Sequence, residues 1–147
     1  VSNIAALRPP VFALVYSPPG HGKSFLAADA PKDMIVLSGD GYGKMRPYLK
    51  RGVPLPLAEG EFGQGVIEIK SRKNPERTII QLELFDDIFG TQSGLYVPQG
   101  YEQFKKRLAV VAAEIIDGRW KTLVVDSVSS FWLMCRKLHQ YRLLKNG

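Results

Sequence analysis

The chain has 147 residues, 45% of them hydrophobic and 23% charged, a composition that suits one globular domain with its own core. No apolar run nears the roughly 20 residues that span a bilayer, residues 1–10 lack the marks of a signal peptide, and the single cysteine, Cys135, excludes an internal disulfide or a cysteine-based zinc site. The net charge of +6 is compatible with a polyanionic partner, and the lone cysteine makes a reducing, cytoplasmic location the expected one. Val1 in place of methionine and the polar end at Leu143–Gly147 suggest a fragment of a longer chain.

Val11-Phe12-Ala13-Leu14-Val15-Tyr16 is almost wholly apolar, which predicts a strand buried on both faces, as in a parallel sheet. A Pro- and Gly-rich turn follows, then a helix over Lys23 to Ala30 that Pro31 stops. Met34-Ile35-Val36-Leu37 predicts a second buried strand, running into the flexible Ser38–Gly43. Residues 44–100 are rich in Pro and Gly and read as an irregular, hairpin-bearing insertion. Within them Val66 to Lys70 and Thr78 to Phe85 predict strands joined by the charged turn 71–77, and Asp86 to Gly100 predicts a loop. The alternation of Ile80, Leu82 and Leu84 with Gln81 and Glu83 is the period of a half-buried strand.

From Tyr101 the period turns helical. Phe104, Leu108, Val111, Ala112, Ile115 and Ile116 make one apolar stripe, with Lys105, Lys106 and Arg107 off it and Asp117-Gly118 at its end. Lys121 to Asp126 predicts a strand ending in a carboxylate. A last helix over Ser129 to Lys145 puts Phe131, Met134, Cys135, Leu138 and Tyr141 on one side. This succession predicts a single α/β domain over 1–147 with a mostly parallel sheet flanked by helices. Ligands of such sheets bind beyond the carboxyl ends of the strands, which here are Tyr16, Asp40 and Asp126.

Two motifs carry chemistry. Ser17-Pro18-Pro19-Gly20-His21-Gly22-Lys23-Ser24 has the spacing of the phosphate loop, with Ser17 where the first glycine usually stands. Backbone N–H groups of such a loop cradle phosphates, Lys23 reaches the β- and γ-phosphates, and the Ser24 hydroxyl ligates Mg²⁺. The nucleotide contacts expected are Ser17, Pro18, Pro19, Gly20, His21, Gly22, Lys23, Ser24 and Phe25. Leu123-Val124-Val125-Asp126 is the second motif: an apolar strand ending in the carboxylate that completes the Mg²⁺ shell. ATP and Mg²⁺ are therefore the expected cofactors, with Ser24 and Asp126 as metal ligands.

Asp126-Ser127-Val128-Ser129-Ser130 after an apolar strand resembles the Walker B region of RecA-like ATPases. Tyr16 to Ser24 is similar to the loop of AAA-type and phage-encoded RecA-like ATPases of recombination and replication, and Ser127 in the position after the aspartate favours the RecA-like side. The resemblance implies a RecA-like P-loop NTPase fold over about residues 11 to 135 and ATP hydrolysis, with Lys23, Asp40 and Asp126 as the catalytic set. Asp40 falls where the family carries a catalytic carboxylate, usually Glu, that orients the attacking water; Asp86 and Asp87 are reserves. It also implies a homo-oligomer acting on single-stranded DNA, with an arginine finger among Arg46, Arg107 and Arg119 or supplied by a neighbour.

The remaining residues carry less. Lys70, Arg72, Lys73 and Arg77 flank the predicted turn and either track a nucleic-acid backbone or are simply solvated. Cys135, Trp120 and Trp132 read as packing residues, and His139 has no partner at metal-ligand spacing. Two other functions stand beside the ATPase: a P-loop kinase, though no Arg-rich lid helix is evident, and a nucleotide-binding module that does not hydrolyse.

Overall fold

Met34–Ser38 forms β1, and all five of its residues are buried. The computed structural model describes residues 11–56, 65–85, 89–92 and 95–147, with 89–92 and 95–98 described by their backbone. Before β1 comes α1 (Lys23–Ala28); after it come a 3-10 turn (Tyr42–Lys44), α2 (Arg46–Leu49) and the short β2 (Val53–Pro54). β3 (Gly65–Lys70) and β4 (Thr78–Leu84) follow, then β5 (Phe89–Gln92), β6 (Leu95–Pro98), α3 (Gln99–Ile116), β7 (Thr122–Asp126) and α4 (Val128–Asn146). The fold is α/β: a five-stranded sheet in the order β2-β3-β4-β1-β7, flanked by helices, beside a two-stranded sheet of β5 and β6.

β1 pairs in parallel with β4 on one side and with β7 on the other. β3 runs antiparallel to both β2 and β4. The sheet is therefore mixed rather than mostly parallel. The reason lies in the 71–77 turn, which is too short for a crossover and must return the chain as a hairpin. Residues 44–100, expected as an insertion, supply β2, β3 and β4 to the main sheet. Part of the expected loop 86–100 is the β5–β6 pair, and α3 already starts at Gln99.

Strand alternation divides β1 between two cores. Met34 and Val36 join Ile80, Leu82, Ile67, Ile69, Ala28 of α1, Met45 at the start of α2 and Tyr48 within it. Ile35 and Leu37 face the other way, into Phe85, Phe104, Val111, Trp120, Phe131 and Met134, which come largely from α3 and α4. Phe104 and Phe131 stack with centroids 3.7 Å apart, and Phe85 meets Phe104 edge-on at 6.0 Å. These aromatic contacts fix where α4 starts relative to the carboxyl ends of the strands.

The second face of β4 departs from the half-buried reading. Gln81 and Glu83 are buried because α3 covers them, and Arg107, expected off the apolar stripe, is buried with them. Arg107 Nε donates to Glu83 Oε2 at 2.8 Å, and its Nη1 donates to Glu114 Oε1 at 2.9 Å. Gln81 Nε2 donates to Glu83 Oε1, and Trp120 Nε1 and Arg119 Nη1 donate to Glu114. Among the described residues, two carboxylates thus face two guanidinium groups.

Burial alone would raise the Glu114 carboxyl, but hydrogen bonds from Arg107 and Trp120 and the charges of Arg107 and Arg119 hold it below its ordinary 4.5. A depressed carboxylate contributes stability that is present above the ordinary value and lost as pH falls through the lower folded-state value. Denaturant titrations should therefore show stability falling as pH drops below about 4.5, and Glu114→Gln should flatten that fall. An identical acid limb in the variant would clear Glu114 of the effect.

The apolar run Val11–Tyr16 corrects an expectation. It forms no strand, and Val11, Phe12 and Tyr16 are 92%, 93% and 92% exposed. Its composition is β-compatible, but a strand also needs a neighbour for its N–H and C=O groups. Among the described residues β7 pairs with β1 alone, and residues 11–16 pair with no strand. Trp132, expected to pack, is also exposed, whereas Trp120 is buried as expected. No helix among the described residues is long and apolar enough to cross a membrane.

Candidate functional site

The carboxyl ends of β1 and β7 lie side by side, with Ser38 opposite Asp126 and Gly39 N–H donating to Asp126 O at 3.1 Å. Asp40 and Asp126 are thereby brought to one edge of the sheet. Gly39 is required there: a Cβ would stand 2.9 Å from Ser130 Cβ and 3.3 Å from the Phe131 ring. That close approach lets the first turn of α4 reach Asp40. Ser130 Oγ donates to Asp40 Oδ1 at 2.7 Å, and Ser127 and Ser130 hydroxyls meet at 3.0 Å. Since the single Ser130 hydroxyl proton goes to Asp40, Ser127 is the donor to Ser130. Ser127 also caps α4, accepting from Ser130 N–H. Lys44 Nζ adds an ion pair to Asp40 Oδ1 at 3.5 Å from a side chain that is largely in water.

The glycine-rich loop 17–24 meets this edge from the other side. Gly20 and Gly22 have φ of 82° and 79°, the left-handed region that residues with a Cβ avoid. Gly22 leads directly into α1, whose start carries no side-chain cap and no acidic residue, so its first N–H groups keep their capacity for an acceptor. Lys23 Nζ folds back on the loop, donating to Ser17 O at 2.5 Å and Pro18 O at 3.2 Å. Ser24 Oγ donates to Asp126 Oδ2 at 2.7 Å, across 102 positions of sequence. The same oxygen accepts from Tyr48 at 2.7 Å. Pro18, Pro19, Gly20, His21 and Gly22 are exposed, and Phe25 is 44% exposed with Lys50 Nζ 5.8 Å from its ring centre.

No family model, curated protein or solved structure matches this chain. The site is therefore read from its own geometry.

Ser24, Asp126 and Asp40, singled out in the sequence, come together. Tyr16 does not: it is exposed and ends no strand. The loop is instead held by the Ser24–Asp126 bond and by α1 packing on α2. Asp86 and Asp87 lie outside the described residues. Arg107 is committed to the buried cluster and cannot swing out to a phosphate, and Arg119 is paired with Glu114, while Arg46 is exposed on α2. In the basic turn Lys70 bonds Thr78 and pairs with Glu68, and Arg77 pairs with Asp33. Arg72 donates to Lys50 O and, with Lys73, remains exposed.

No cluster of three or more His, Cys, Asp or Glu side chains able to hold a metal occurs among the described residues. A cation that brings its own ligands is a different case. Mg²⁺ keeps several waters and takes one or two carboxylates together with substrate phosphates. A hydroxyl and a carboxylate meeting at the glycine-rich loop, Ser24 and Asp126, are hard oxygen donors of that kind. The residues present fit the ion.

Two residues of the site carried no sequence assignment. Tyr48 lies in a Pro- and Gly-rich stretch with no periodic signal, and Ser130 was one of three serines after Asp126 with nothing to choose among them. Both are selected by tertiary contacts alone.

Proposed function

We propose that the chain binds Mg²⁺–ATP on the 17–24 loop and hydrolyses it as a RecA-like P-loop ATPase domain. The observation that carries the reading is the 2.7 Å bond between Ser24 Oγ and Asp126 Oδ2. It joins the last residue of the glycine-rich loop to the carboxylate ending an apolar strand, the two groups that share a Mg²⁺ shell in such enzymes. The left-handed Gly20 and Gly22, the uncapped start of α1 and the amine of Lys23 within the loop support it, since together they suit a polyphosphate.

In this reading Lys23 leaves the Ser17 and Pro18 carbonyls for the β- and γ-phosphates, and Ser24 and Asp126 hold the ion. Bound Mg²⁺ supplies neutralisation of the phosphate charge that builds up as the terminal phosphoryl group departs. Asp40, oriented by Ser130, receives a proton from, or aligns, the attacking water. Action on single-stranded DNA in recombination or replication, as a homo-oligomer, is the setting the sequence resemblance supports. The net charge of +6 and the exposed Arg72 and Lys73 are the features of the chain that suit it.

Calorimetry of ATP with Mg²⁺ tests the site. Lys23→Ala removes the fixed charge on the phosphates, and a lost charge-assisted contact costs about 1.5–3 kcal/mol, roughly 10- to 150-fold in affinity. Equal affinity in wild type and variant would remove the loop from the reading.

A further inference from the structure

Tyr48 is wholly buried among Met45, Ile67, Ile69, Ile80 and Leu82. A phenyl ring would fill that space, and a buried hydroxyl is costly unless it finds an acceptor. The acceptor here is Asp126 Oδ2, at 2.7 Å. The carboxylate oxygen thus has two hydroxyl donors of different standing. Ser24 is half-buried in the first turn of α1, just after a largely exposed loop, while Tyr48 is set in the core beneath the sheet end. A Ser24 hydroxyl that turns to a cation gives up its bond to Asp126; the Tyr48 bond can persist.

We propose that Tyr48 is a positioning residue for Asp126, its core-anchored hydroxyl fixing the carboxylate that takes up the cation of the bound nucleotide. The inference rests on the Mg²⁺–nucleotide reading and deepens it. Partners that orient a metal ligand from behind are worth about 10- to 100-fold in metal affinity when removed. The effect belongs to the metal, not to the loop that grips the phosphates.

The test is a Mg²⁺ titration of ATP binding to the full chain, with a parallel ATP titration in EDTA. Tyr48→Phe should raise the Mg²⁺ concentration for half-saturation by about 10-fold or more and leave the metal-free ATP affinity unchanged. 4-Aminophenylalanine at position 48, which keeps both ring and donor, should restore the wild-type Mg²⁺ requirement. In an Asp126→Asn background Tyr48→Phe should add little. An unchanged Mg²⁺ requirement in Tyr48→Phe, an equal loss with and without Mg²⁺, or a variant that does not fold would each overturn the role and leave the nucleotide site standing. A wild-type chain that binds no ATP under either condition would overturn the nucleotide reading and this inference with it.

Discussion

Arg107→Ala should lower the free energy of unfolding by about 3–5 kcal/mol, the cost of removing one partner from a buried ion pair. Glu83 is 3% exposed and Arg107 6%, so the carboxylate left behind keeps Gln81 as a neutral donor but, among the described residues, loses its cation. Glu114 keeps Arg119 and Trp120 and suffers less. Domains of this size have roughly 5–15 kcal/mol in all, so the variant should give up a large share of its stability. Urea unfolding measures it. The double change Glu83→Leu with Arg107→Met, which replaces the charges by packed apolar groups, should recover much of the loss, because a buried pair is worth little over a hydrophobic pair of like volume. A loss below about 1 kcal/mol in Arg107→Ala would place the pair in the class of solvent-screened surface pairs.

Asp40→Asn is the second change with a large expected effect, this time on rate. Asparagine keeps the shape and an oxygen that can accept from Ser130, but it cannot take a proton. Turnover should fall by about 10²-fold, which is roughly 2.7 kcal/mol in the barrier. Affinity for Mg²⁺–ATP should hardly move, because Asp40 makes its bonds to Ser130 and Lys44 rather than to the loop. Phosphate release for the rate and calorimetry for the affinity separate the two. Unchanged turnover would transfer the role to Asp86, Asp87 or a neighbouring subunit. If wild type itself binds ATP without turnover, the domain is a nucleotide-binding module.

Much of this molecule is determined by local pattern. β1 follows from four consecutive apolar residues, α3 from apolar positions that recur with the helical period up to Gly118, and α4 was read from Ser129 where it starts at Val128. The loop residues Gly20, Gly22, Lys23 and Ser24 stood out in the sequence as fixed residue types at fixed spacing. Asp126 was legible because a carboxylate ending an apolar strand is a polar interruption at a definite place. The β3–β4 hairpin was legible in its short charged turn; that it joins the main sheet and makes the sheet mixed, rather than forming an insertion, was not.

Other features depended on which surfaces meet. Val11–Tyr16 has the composition of a buried strand, yet composition does not provide a hydrogen-bonding neighbour, and those residues are exposed. Gln81 and Glu83 alternate like a solvated face; α3 covers that face, and Arg107 makes the burial tolerable by meeting the charge. Tyr48 reaches Asp126 across 78 positions of sequence and Ser130 reaches Asp40 across 90, separations over which no periodicity or spacing rule holds. The sequence determined the residue types of the site and the elements that carry Ser24 and Asp126, but not α2, which carries Tyr48. Only the tertiary structure decided which side chains stand within a hydrogen bond of one another, because that depends on how the helices pack on the two faces of the sheet.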